Sequence, residues 1–225
     1  MNWLKRLHCF SVHYALYPLL LSSLLACGLL AGRLYVTRHW TYIFMAWNLF
    51  LAWIPYGISL TLASLGHNRP RRWLPLVALG LVWLAFLPNA PYLVTDLMHL
   101  QPRDPMPFWY DLGLFAVFAW TGLFLTVFSL RAMQRLVAAR AGLILSWLFV
   151  AGVLGLNSLG VYIGRFLRWN SWDLLFHPHT ILAEMAGRLA NPLEYPGSIG
   201  FTLMFAAFLL ICYLTITATG LREPA

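Results

Sequence analysis

The chain has 225 residues, of which 61% are hydrophobic and only 10% charged, with a net charge of +8 and a mean hydropathy of +0.72. Too little polar surface remains to solvate a globule, which excludes an ordinary soluble domain and makes lipid the solvent. The positive charge does not mark a nucleic-acid surface, because the arginines sit in short loops between apolar runs and form no single basic face.

A membrane-spanning helix needs about 20 mostly apolar residues to cross roughly 30 Å of hydrocarbon. Six stretches meet that length, roughly 14–32, 41–66, 73–94, 110–130, 141–164 and 199–219. They do not alternate as barrel strands would, and backbone groups in hydrocarbon must pair within their own segment, so each is predicted to be a helix. The expected fold class is all-α, a polytopic transmembrane helix bundle of about six spans in a single integral membrane domain over residues 1–225.

The first span opens with Lys5 and Arg6, as a signal peptide does, and Leu24-Leu25-Ala26-Cys27 is faintly similar to a lipoprotein cleavage site. The apolar run continues to Ala31, so an uncleaved span is expected. Cys9, Cys27 and Cys212 are scattered without metal-like spacing, and no disulfide framework is implied. With six spans, Lys5, Arg6, Arg69, Arg71, Arg72, Arg131, Arg135, Arg140 and Arg222 fall on one side. Arg33, Arg38, Arg103, Arg165, Arg168 and Arg188 fall on the other. The positive-inside rule then places both termini in the cytoplasm and six of the seven acidic residues outside.

Prolines interrupt span two at Pro55 and span three at Pro88 and Pro91. Each removes a backbone donor and kinks its helix. Alternatively, Pro88-Asn89-Ala90-Pro91 ends the helix early and turns carbonyls and Asn89 into a polar pocket. An echo between residues 51–56 and 84–92 is too short to assert a repeat, though inverted repeats with broken helices are typical of transporters. If the helix resumes after Pro91, Asp96, His99 and Arg103 share a face. Trp109 and Tyr110 suit a membrane interface, and Asp111 is expected to cap the fourth helix.

On span five, Asn157, Val161, Gly164, Arg165 and Arg168 form a face by helical spacing, while Gly152, Gly155, Gly160 and Gly164 permit close packing. Asn170 or Ser171 suits a helix cap. Beyond Pro178, Ile181, Leu182, Met185 and Leu189 recur opposite Glu184 and Arg188, predicting a short amphipathic interfacial helix between the fifth and sixth spans.

The six-span arrangement gathers Asn89, Tyr92, Asp96, His99, Asn157, Tyr162, Arg165, Asn170 and Asp173 at the outer end of the bundle. Polar groups near hydrocarbon are costly unless paired, so the cluster is either a site or a structural network. His99 and Asp96 are the candidate catalytic residues. Asn89, Tyr92, Asn157, Tyr162, Arg165, Asn170 and Asp173 are the candidate ligand-binding ones. Asp96 and His99 have a spacing that suits a divalent metal, with Asp173, His177 or His179 as a third ligand, and equally suits an aspartate that orients a histidine. Arg165 and Arg168 are interfacial anchors, partners of Asp96 or Asp173, or a clamp for phosphate or carboxylate. There is no Gly-rich phosphate loop, His-Glu-x-x-His, Gly-x-Ser-x-Gly or paired mid-span histidines, and no mid-membrane carboxylate to suit an ion-driven transporter.

Two segments carry a resemblance: Phe86-Leu87-Pro88-Asn89-Ala90-Pro91-Tyr92-Leu93-Val94-Thr95-Asp96-Leu97-Met98-His99-Leu100 and Gly164-Arg165-Phe166-Leu167-Arg168-Trp169-Asn170-Ser171-Trp172-Asp173. They resemble the signature segments of a bacterial multi-pass membrane-protein family catalogued as domain of unknown function 1361. The resemblance implies a bacterial cytoplasmic membrane and a shared purpose for Asn89, Tyr92, Asp96, His99, Arg165, Asn170 and Asp173, and it supplies no activity. The leading expectation is an outward-facing polar pocket that binds or processes an amphiphilic or anionic envelope molecule. The alternatives are a non-catalytic accessory protein that binds another membrane protein and a small-molecule transporter. The bilayer itself is the one partner that composition requires.

Overall fold

A computed structural model describes residues 8, 11–12, 14–68, 73–169 and 173–219. Among them there is no strand, only an isolated bridge between Arg103 and Met106. Helix α1 spans Leu16–Thr37, α2 Phe44–Asn68, α3 Trp73–Phe86 and α4 Asn89–Thr95, which tightens into a 3-10 turn over Asp96–His99. A helical stretch runs from Phe108 to Phe166, followed by the short α7 (Asp173–Phe176), α8 (Pro178–Ala190) and α9 (Pro196–Thr219).

A straight helix of 59 residues would be about 88 Å long, far beyond one bilayer crossing. The stretch does not run straight, because Gly142 breaks it at φ 84° and ψ 173°, a region open essentially to glycine alone. The buried Trp83 fixes what the break does: its indole N–H donates to Ser129 Oγ at 2.8 Å while its ring stacks on Phe149. Tyr213 likewise bonds Gln134 and packs edge-on against Trp147. Residues before and after Gly142 therefore lie side by side, and the chain reverses there. The arms are called α5 (108–141) and α6 (143–166). The stretches long and apolar enough to cross a membrane are Leu16–Thr37, Phe44–Leu65, Pro75–His99, Phe108–Phe166 and Pro196–Ala218. With the doubled arms they make six passes of an all-α bundle.

Two apolar clusters hold it together. One joins α1, α2, α4 and α5 around Leu30, Met45, Leu93, Phe115 and Phe118. The other joins α2, α3, α5, α6 and α9 around Leu62, Trp83, Leu130, Val153 and Tyr213. Helix α2 continues through Pro55, whose carbonyl accepts from Ser129 Oγ at 3.1 Å. The chain of Trp83, Ser129 and Pro55 thus links three helices through hydrogen bonds, which apolar contact alone would not orient.

Four sequence expectations are corrected. Asp111 sits in the first turn of α5 but makes no cap bond; it receives Arg33 Nε at 2.7 Å and Nη2 at 3.1 Å, both side chains being buried. Arg33 was placed in a loop, yet α1 runs on to Thr37 and carries it inward. Arg103 shares no face with Asp96, because the helix gives way to the 3-10 turn and Arg103 lies in the loop beyond, over the Tyr42 ring at 5.6 Å. Arg168 leaves the face of Arg165, since α6 ends at Phe166 and Arg168 takes a left-handed φ of 60°.

Candidate functional site

The site begins with two prolines. Pro88 and Pro91 lack the N–H groups that would bond the carbonyls of Leu84 and Leu87 in a regular helix. The backbone adjusts at that point: Ala90 N–H reaches Leu87 at 3.1 Å, and Asn89 Nδ2 donates to the Phe86 carbonyl at 2.9 Å. The result is a bent helix that resumes after one turn, between the two alternatives that the sequence left open. Glycines then admit α4 closely. A Cβ at Gly160 would stand 2.7 Å from Pro88, one at Gly164 would press on the Tyr92 ring, and one at Gly122 would run into the Ala90 carbonyl. Small residues on α5 and α6 thus let α4 sit between them.

That seating carries the end of α4 to the end of α6, where Arg165 gathers its neighbours. Its Nη2 lies 2.5 Å from Asp96 Oδ1, and Nε and Nη2 donate to Thr95 Oγ1 at 2.9 and 2.8 Å. Its guanidinium stands 4.0 Å over the Tyr92 ring, and Nη1 lies 3.3 Å from His99 Nδ1. From α2, Asn48 Nδ2 donates to Asp96 Oδ2 at 3.0 Å, and Phe44 packs on the imidazole. Asp96 has 0% exposed side chain and Arg165 8%. A charge so buried persists only when it is paired and its remaining hydrogen-bonding positions are filled, and here Asn48 fills the second carboxylate oxygen while Thr95 and His99 take the other guanidinium donors.

The geometry constrains the chemistry of His99. Guanidinium has donors and no acceptor, so the Nδ1 facing it must accept, and a neutral His99 carries its proton on Nε2. The exposed imidazole then offers an N–H donor at its outer edge. In this state it has no Nε2 lone pair with which to act as a base. Asp96 contacts Arg165 and Asn48, so it orients the guanidinium, which in turn holds His99.

Tyr92, Asp96, His99 and Arg165 therefore come together, while other candidates lie elsewhere. Tyr162 packs with Phe166 and Phe201, with Arg188 over its ring at 5.7 Å. Asn157 is buried with neither amide atom hydrogen-bonded. Asp173 opens α7, and His177 packs on Trp169. Asn170 lies outside the described residues. For a divalent metal on Asp96, His99 and Asp173, the positive charge of Arg165 stands between the first two ligands. Among the described residues no three His, Cys, Asp or Glu side chains group as a metal site. Sequence reasoning missed Asn48 and Thr95. Asn48 was detectable as an isolated amide near the start of an apolar span, a position that polar residues seldom occupy without a partner.

Beside the network lies a cavity of about 480 Å³, within the range of small-molecule sites. Its walls are Leu51 of α2, Leu81, Leu84 and Ala85 of α3, and Leu156 and Ile163 of α6, and the apolar residues Ile181, Leu182 and Met185 of α8 lie over it. Asn48, Asn89 and Tyr92 also line it. Asn48 and Tyr92 touch the ion pair from the other side, so the network forms part of the wall and its charged groups do not project into the space.

Neither a curated protein nor a solved structure matches the chain. Residues 47–212, from the first turn of α2 to the last turns of α9 and including the whole cavity and every hydrogen-bonded member of the network, match the family model described as Protein of unknown function (DUF1361). The chain belongs to that family.

Proposed function

We propose that the protein holds an amphiphilic envelope molecule, with the apolar tail in the cavity and the polar head at the Arg165 end of the bundle. The observation that carries this reading is the cavity itself. Its lining is mostly aliphatic, includes no charged side chain, and turns polar at Asn48, Asn89 and Tyr92. Burying a chain there gains roughly 25 cal/mol per Å² only against water, so within a bilayer selectivity falls to shape and to the polar groups. The Nε2 donor of His99 suits a head rich in oxygen acceptors. Arg165 is committed to Asp96, so the head is held by hydrogen bonds and not by a free cation. In the orientation favoured by the arginine distribution, this end faces away from the cytoplasm of a bacterial cell. The role is binding or presentation, since the groups nearest the cavity are mutually satisfied.

The test is equilibrium binding of a fluorescent lysophospholipid to the purified protein in nanodiscs. Ala85→Trp, which fills the space, should weaken binding at least about tenfold, equivalent to roughly 1.4 kcal/mol. Leu145→Trp, on an exposed face, is the matched control and should leave it unchanged. Equal binding by both variants would sink the proposal.

A further inference from the structure

Resting on that reading of the cavity, we infer that its occupant is a long-chain lipid resident in the bilayer, which enters sideways between α3 and α6. Two wall residues carry the argument. Leu81 and Leu156 line the cavity and are 63% and 39% exposed. Both lie in stretches that cross the membrane. Leu156 is about halfway along α6, and Leu81 about two turns inside the Trp73 end of α3. At that depth the medium outside is hydrocarbon, so the interior of the cavity meets lipid tails through a wholly aliphatic boundary.

The Arg165 end is closed differently. Trp169 and the apolar residues of α8, Ile181, Leu182 and Met185, lie over the space there. Just beyond the end of α3, the Pro88 ring packs where a Cβ at Gly160 of α6 would stand, and the mouth lies on the Leu81 side of that contact. An acyl chain passing between Leu81 and Leu156 exchanges one apolar surrounding for another. A charged head dragged through the same opening would meet no compensating group, and crossing hydrocarbon uncompensated is expensive. The head therefore stays at its own level near the Arg165 end while the tail swings in.

The experiment uses the full chain in phosphatidylcholine vesicles with two probes. One is a two-chain phospholipid bearing a diazirine midway along an acyl chain, which has almost no aqueous monomer. The other is a single-chain lysophospholipid added from water. In the wild type, irradiation should label the lining around Leu84, Ala85 and Gly160. Leu81→Trp with Leu156→Trp should cut that labelling about tenfold, whereas Leu145→Trp, on an exposed face away from the cavity, should leave it unchanged. Leu81→Ala with Leu156→Ala should raise the labelling rate, which guards against a tryptophan variant that fails to fold. Undiminished labelling in the tryptophan variant, or lysophospholipid binding without any labelling of the lining, would overturn the sideways route and leave the binding reading standing. Absence of both probes from the wild-type cavity would remove the binding reading, and the route with it.

Discussion

Two buried arginine–aspartate pairs lie at the same end of this bundle and differ in everything but their chemistry. Arg33 and Asp111 close on each other with two bonds, and Arg33 also stacks on Tyr42 at 4.2 Å. Beside them, Gly32 lets the Tyr110 hydroxyl reach the Leu29 carbonyl at 2.8 Å, so adjacent residues on each helix pin α1 to α5. This pair is a strut with few further obligations. Arg165 and Asp96, by contrast, also serve Thr95, His99, Asn48 and Tyr92 from three helices, and they back onto a cavity. Burial of an ion pair is thus uninformative about function; what distinguishes the two is how many other groups depend on each and what space lies next to it.

The comparison breaks first at the single substitutions. Asp111→Leu and Asp96→Leu each strand a buried guanidinium and should each cost about 3–5 kcal/mol in unfolding from detergent micelles. The joint variants separate the regions. Arg33→Met with Asp111→Leu should recover to within about 1 kcal/mol of wild type, because an apolar pair replaces a self-contained one. Arg165→Met with Asp96→Leu should remain about 2–3 kcal/mol destabilised, since Asn48, Thr95 and His99 lose their partners. Equal recovery in both would erase the distinction. A smaller effect is expected for Arg165→Lys, which keeps the charge but loses the fork, at about 1–2 kcal/mol in the same unfolding measurement. The smallest tests the amide left out of either network. Asn157→Leu should stabilise the protein by about 1 kcal/mol, and a loss of stability would mean that the amide has a partner in the membrane.

Much of the site was legible because its residues are close together in sequence or carry strong chemistry. Tyr92, Asp96 and His99 follow a proline break within one segment, and Arg165 is the basic residue nearest the end of an apolar run at the same level. The partners were not legible in the same way. The helical spacing suggested Arg103 for Asp96, but the helix ends in a 3-10 turn at His99 with Leu100 extended, and Arg103 lies in the loop beyond, over Tyr42. Asp111 has the position and chemistry of a cap, and nothing local distinguishes a cap from a carboxylate awaiting an arginine 78 residues away. The cavity had no sequence signature, because its walls are aliphatic residues of the same kinds that face lipid elsewhere.

The sequence by itself determined that the chain crosses a membrane as helices, about how many times, and at which end its polar groups gather. Those properties follow from hydrocarbon thickness and from the cost of unpaired polar groups, both of which act on each segment separately. Only the tertiary structure decided which charge pairs with which, where Gly142 doubles one helical stretch into two passes, and where the helices leave a space. These depend on rotations about helix axes and on close approach at a few glycines, quantities that packing between segments fixes and that no single segment encodes.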